Sequence, residues 1–163
     1  MVVRPLKNAS RDLMQAFSEG MEEVARNITA DLKYQGPYWS GQFYDLWVIE
    51  PGDVGILKNI PTAIRPVAKT PKQKPSYSAG KAMVSVPRST LDQGYTIGNR
   101  ANYALYAMDL LPTPTGRRSP SFTRMDGTPV NITAPKYWFD TYMNSLAGKT
   151  VNASLVSVFR RYQ

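Results

Sequence analysis

Between residues 10 and 34, Leu13, Met14, Phe17, Met21, Val24, Ala25, Ile28 and Leu32 recur every three or four positions. This spacing is one face of an amphipathic helix. About 24 residues at about 1.5 Å each make a rod of about 36 Å. A chain of 163 residues forms one domain with one real core, so the rod must lie along a whole side of it, covering one face of a sheet. Asn8 or Ser10 is placed to cap the helix, Asp12 falls in its first turn, and Gly36-Pro37 ends it. The acids Asp12, Glu19, Glu22, Glu23 and Asp31 fall largely on or beside the opposite face.

Residues 38–50 are dense in aromatic and β-branched side chains and close at Pro51-Gly52-Asp53. They read as a strand from about 43 to 50. Phe43, Trp47 and Ile49 share one parity while Leu46 and Val48 occupy the other, which predicts a strand buried on both sides or covered by a partner.

The character changes over residues 54–91. Pro61, Pro66, Pro71 and Pro75 stand among Lys58, Arg65, Lys69, Lys72, Lys74, Lys81 and Arg88, and no acid occurs between Asp53 and Asp92. Prolines remove ladder donors and favour extended geometry. The segment reads as a long basic arm or hairpin insertion, carried by strand ends at Ile56-Leu57 and at residues 82–86. Residues 94–99 then read as a short strand, and 103–111 as a short helix or a buried strand. Residues 113–135 read as a loop in which Asp126-Gly127 marks a turn. Trp138, Phe139, Tyr142, Met143 and Leu146 restore helical spacing, with Gly148 as the stop. A further helix starting at Thr150 or Asn152 carries Val151, Leu155, Val158, Phe159 and Tyr162.

Composition narrows the chemistry. The chain has no cysteine and no histidine, which removes disulfides, Cys-based zinc sites, the commonest general base and the usual partner of a nucleophilic Ser. Ser40 as a nucleophile would need a lysine base; its hydroxyl serves as well to satisfy a freed backbone group. A two-metal nuclease needs no histidine, and Asp45, Glu50 and Asp53 with Lys58 downstream are its candidates, although Glu50-Pro51-Gly52-Asp53 is equally a turn. The net charge of +8 favours polyanions or acidic protein surfaces. The opening residues hold no signal-peptide run and no stretch is long enough to span a membrane, which predicts a soluble chain without membrane partners.

Two short motifs carry a resemblance. Ser40-Gly41-Gln42-Phe43 leads from the helix into the aromatic segment, and the run from Ile97-Gly98 to Tyr103-Ala104-Leu105-Tyr106 ends the later strand. With the order of elements, these resemble the tail-completion and neck (head–tail joining) proteins of tailed bacteriophages. The match departs at Asp109-Leu110-Leu111-Pro112, where the family continues with an earlier acid and Gly-Thr. The resemblance implies a ring of identical subunits at the head–tail junction or tail end, made in the host cytoplasm and carried in the virion. It implies connector or tail-tube neighbours, packaged DNA nearby, no catalysis and no cofactor, with Ser40, Gly41, Phe43, Gly98, Tyr103, Ala104 and Tyr106 as motif positions.

The expected fold is therefore α+β: a small antiparallel sheet under a long N-terminal helix and a C-terminal helical segment (136–162), in one domain. Tyr38, Trp39, Tyr44 and Trp47 are expected at the core and subunit interface, where Tyr and Trp are enriched. The arm has three readings: contact with a partner subunit, contact with DNA, or a solvated loop. The alternative function is a DNA-binding accessory protein in which the arm and aromatics share a groove.

Overall fold

The computed structural model describes residues 6–38, 41–53, 73–101, 104–108, 122–123, 129–130 and 137–162. The helical stripe forms one continuous helix, α1 (Leu6–Gln35). It begins earlier than expected, because residues 6–9 contain no helix breaker and Pro5, a residue favoured at helix starts, precedes them. Asn8 and Ser10 are thus inside the helix rather than at its cap. The helix ends as expected: the Gly36 N–H donates to the Leu32 carbonyl at 3.0 Å. A Cβ at Gly36 would stand 2.9 Å from that carbonyl oxygen and 3.1 Å from the Trp138 ring, so only glycine lets the chain turn this close to the core.

The strand expected over 43–50 is only half formed. Residues Gln42–Asp45 make a single helical turn, α2, entered through Gly41 at φ 83°. Leu46 closes that turn, and strand β1 covers Trp47–Pro51. The mixed parity has a simple origin. Phe43, Leu46 and Trp47 stand at i, i+3 and i+4, so a turn of helix puts all three on one side, and all three are buried in one cluster. Asn99 Nδ2 donates to the Phe43 carbonyl at 2.7 Å, and the Arg100 N–H to the Leu46 carbonyl at 3.0 Å, holding the turn against the next strand.

That strand is β2 (Tyr95–Asn99), antiparallel to β1 with Trp47 opposite Asn99 and Pro51 opposite Tyr95. Between them in sequence lies α3 (Tyr77–Ala82), capped by the Ser76 side chain, which accepts from the Ala79 N–H at 3.3 Å. The strand ends expected at 82–86 are absent: Ala82 ends α3 and 83–90 form no strand. Residues 54–72, with Ile56-Leu57 and most of the arm, lie outside the described residues. The ambiguous run at 103–111 contributes a short helix, α4 (Ala104–Ala107). Strands β3 (Phe122–Thr123) and β4 (Pro129–Val130) pair antiparallel; the turn read at Asp126-Gly127 lies outside the described residues.

The C-terminal segment forms α5 (Trp138–Ser145) and α6 (Ala147–Phe159). The break falls at Leu146, not at Gly148, which lies exposed in the first turn of α6. There a glycine leaves no cavity, and the turn of direction two residues earlier places Ala147 in the core.

The architecture is α+β as expected: α1 packs against the two-stranded sheet and against α5 and α6. One apolar cluster joins Leu32, Phe43, Leu46, Trp47, Ala101, Ala104, Met108, Trp138, Tyr142 and Ala147. A smaller one joins Ala25, Ala30, Ile49 and Val84. Helix α6 runs antiparallel to α1, with Thr150 beside Asp31, Ser154 beside Asn27 and Phe159 beside Phe17. The turns of α1 before Phe17 extend past this contact, and Leu13 and Met14 are 53% and 59% exposed.

Candidate functional site

Of the sequence-derived residues, Tyr38, Tyr44, Lys74 and Lys81 gather around the C-terminal half of α1. Lys33, in its last turn, is buried, and its ammonium stands over the Tyr44 ring at 4.9 Å from the centroid. Burial lowers its pKa and the Asp45 carboxylate partly opposes this. Tyr38 packs edge-on against Tyr44 at 5.5 Å. Burial raises both phenols, and the charge on Asp45 adds to the effect.

The described part of the arm lies back across this end of α1. Lys74 donates to the carbonyls of Tyr34 and Gly36, the latter at 3.0 Å, and its Nζ sits 5.4 Å from the centre of the Tyr34 ring. A cation on the last carbonyls of a helix is favoured by the helix dipole; burial nonetheless lowers the Lys74 pKa. Tyr77 meets Tyr34 edge-on at 5.7 Å. Lys81 pairs with Glu23 at 2.9 Å, beside the Glu23–Arg26 pair at the same distance. Burial opposes ionisation of Glu23, but the hydrogen bond and charge of Lys81, with Asn27 and Arg26, outweigh it and hold its carboxyl below the usual range. Gly80 fits against the Tyr44 hydroxyl so tightly that a Cβ would fall 2.2 Å from it.

The central group is Asp31. Its Oδ1 accepts from the Tyr77 hydroxyl at 2.8 Å, and its Oδ2 from Tyr142 at 2.9 Å and Thr150 at 2.7 Å. One carboxylate thus ties α1 to α3, α5 and α6. This corrects its assignment to the polar face: Asp31 follows Val24 by seven residues and Ile28 by three, which is the apolar side of the helix. An acid at stripe spacing was the available signal. Glu19 and Glu23 also serve packing, Glu19 by accepting from Tyr162 at 2.7 Å.

Burial, followed by the hydrogen bond and charge of Asp31, pushes the Tyr77 phenol up to about 12. Tyr142 is raised further by the same causes, burial first. A tyrosine in the unfolded chain ionises near pH 10. The stability these groups contribute is therefore whole below about pH 10 and is lost as pH rises through their folded values. The urea midpoint is expected to hold between about pH 8 and 9.5 and to fall by pH 11. Tyr142→Phe, weaker at neutral pH, should show a shallower alkaline fall; equal slopes for the two proteins would refute the assignment.

The other sequence-derived residues are distributed as follows. Gly41 holds the positive φ at the start of α2, and Phe43 and Ala104 are core. Gly98 lies on β2 opposite Val48, and Trp47 is core. Trp39, Ser40, Tyr103, Lys58, Arg65, Lys69 and Lys72 lie outside the described residues, and Tyr106 is placed only as part of α4. Arg88 is exposed in the stretch before β2. Lys74 and Lys81 do not extend away: both are engaged by the C-terminal half of α1, which corrects the extended geometry expected for that part of the arm. Asp45 and Asp53 are exposed, and among the described residues no three carboxylates are grouped to hold a metal ion. No helix among them is long and apolar enough to cross a membrane.

Compared with known proteins, the chain matches no family model, no curated protein and no solved structure.

Proposed function

We propose that the chain is a structural assembly subunit, forming a ring at the head–tail junction or tail end of a tailed phage. The observation that carries this reading is the sheet. Among the described residues it has two strands, so the outer edges of β1 and β2 carry no neighbour. A two-stranded sheet is marginal alone, and open edges invite pairing with another chain. The exposed Leu13 and Met14 on the first turns of α1 add an apolar surface of the kind that interfaces cover. The motif positions Gly41, Phe43, Gly98 and Ala104 support the same reading through structural roles. DNA binding gains little from Lys81, whose charge is paired with Glu23, or from Lys74, whose ammonium is bonded to the end of α1.

Sedimentation of the purified protein across a wide concentration range, alone and with phage tail tubes or head connectors, tests the proposal. Reversible growth beyond the monomer, or co-sedimentation with either partner, is the expected result. A strict monomer under all these conditions would refute it.

A further inference from the structure

Helices α1 and α6 approach closely at Gly20, where a Cβ would fall 2.9 Å from the Leu155 side chain. On one side of this seam both helices present apolar residues. Phe17 meets Phe159 edge-on at 5.0 Å, and Met21 and Val24, four and seven residues further on, continue the same face of α1 half-buried. Leu13 and Met14 carry that face past the end of α6, and Val156, three residues before Phe159, borders it; Phe17 and Val156 are each 44% exposed. The far end of the seam is closed by α5, where the Tyr142 and Thr150 hydroxyls meet Asp31. The open part runs from Leu13 to Val24, about 16 Å or about three turns of helix.

The rim of this face is basic. Arg11, three residues before Met14, is exposed, as are Arg160, four after Val156, and Lys149, seven before it. None of their side chains has an ionic or hydrogen-bonding partner among the described residues. The acids of this half of α1 face elsewhere: Asp12 and Glu19 lie toward Tyr162, Glu22 lies toward Tyr95, and Glu23 is paired with Lys81. Helix α6 contains no acid. We propose that the groove between α1 and α6 receives an acidic amphipathic helix of a partner protein. Its apolar stripe would lie along Leu13, Phe17 and Val156, and its carboxylates against Arg11, Lys149 and Arg160. A groove between two packed helices is the ordinary seat of a third, recognised through an apolar stripe. The charge selects the partner: a second copy would bring the same cations to the same rim, and like charges facing each other oppose the contact. The sheet edges carry the ring reading; the groove adds a contact with a different protein and stands whether or not this chain closes a ring.

Two labelled helical peptides of about 18 residues, with the same leucine stripe but flanked by glutamate in one and lysine in the other, are titrated with the purified protein and followed by fluorescence anisotropy. The glutamate peptide is expected to bind saturably and more weakly as salt rises, and the lysine peptide to bind about tenfold more weakly still. Met14→Glu, at an exposed position, should remove binding of the glutamate peptide while leaving the urea midpoint unchanged. Lys149→Glu with Arg160→Glu should invert the preference between the peptides, which misfolding cannot do. No binding of the glutamate peptide, equal binding of both, or an unchanged preference in the double variant would overturn the proposal. Two further outcomes would also overturn it by naming another occupant. Binding to vesicles of equimolar phosphatidylglycerol and phosphatidylcholine, lost in Met14→Glu while the peptides do not bind, would assign the face to a lipid surface. Self-association lost in Met14→Glu would assign it to a second copy.

Discussion

Asp31→Ala is expected to lower the free energy of unfolding by roughly 3 kcal/mol. The substitution leaves the Tyr142 hydroxyl, on a fully buried side chain, and the Thr150 hydroxyl without the acceptor they share. Each stranded donor costs about 1–3 kcal/mol, whereas an ordinary hydrogen bond contributes a net of about 1. The loss should exceed that of a typical surface change because four helices lose a common anchor. Urea unfolding followed by tryptophan fluorescence measures it, since Trp47 and Trp138 are both core residues. Asp31→Asn keeps one carbonyl acceptor and should retain a good part of the difference. A loss under about 1 kcal/mol for Asp31→Ala would show that Asp31 is an ordinary helix-surface acid.

Trp138→Ala is expected to cost more, about 4 kcal/mol, the range for emptying an aromatic site in a core. Trp138 is 5% exposed and meets Phe43 edge-on at 6.2 Å and Phe139 at 5.8 Å. Its Nε1–H donates to the Ala107 carbonyl at 2.8 Å, reaching from α5 to α4. Its ring also fills the space that Gly36 keeps open. One side chain therefore holds the C-terminal helices to the α2 turn, to α4 and to the end of α1. A domain of this size has about 5–15 kcal/mol to lose, so the variant should be near the limit of folding. Trp138→Phe keeps much of the apolar contact and loses the hydrogen bond, and should cost about 1–2 kcal/mol. Equal midpoints for Trp138→Ala and wild type would mean that α5 is dispensable to the core.

Elements set by local pattern were the ones legible in the sequence. The stripe from Leu13 to Leu32 gave α1, Trp138 to Leu146 gave α5, and the 94–99 run gave β2. The first two repeat a helical period long enough to decide their type; the third rests on its Tyr95-Thr96-Ile97 composition. The α2 turn failed this condition. Phe43, Leu46 and Trp47 satisfy a helical spacing for one turn and a strand's composition for longer, and β propensity is the weaker guide because it reflects packing. The left-handed backbone at Gly41 and the bonds from Asn99 and Arg100 settle the matter, and they come from residues on both sides in sequence. Gly148 misled for the complementary reason: its permissive backbone allows a stop, but burial of Ala147 decides where the helix turns.

The candidate site was less legible than the fold. The run of basic residues at 54–91 and the aromatic cluster were visible from composition, yet their partners were not. Lys74 and Lys81 read as free positive charge because their partners are distant in sequence: Glu23 precedes Lys81 by 58 residues, and the helix-end carbonyls precede Lys74 by 40 and 38. Only the return of the chain across α1 brings Glu23 and the helix-end carbonyls to them. Asp31 shows the same division. Its stripe spacing follows from the 3.6-residue period, yet as an acid it groups with Asp12, Glu19, Glu22 and Glu23 on or beside the polar face. That Tyr77, Tyr142 and Thr150 would supply the hydroxyls that make an inward acid tolerable is a matter of three helices meeting at one point. Sequence determines which face a side chain takes, because that follows from the period of its own element. Tertiary structure decides what it meets there, because the partners come from 46, 111 and 119 residues away.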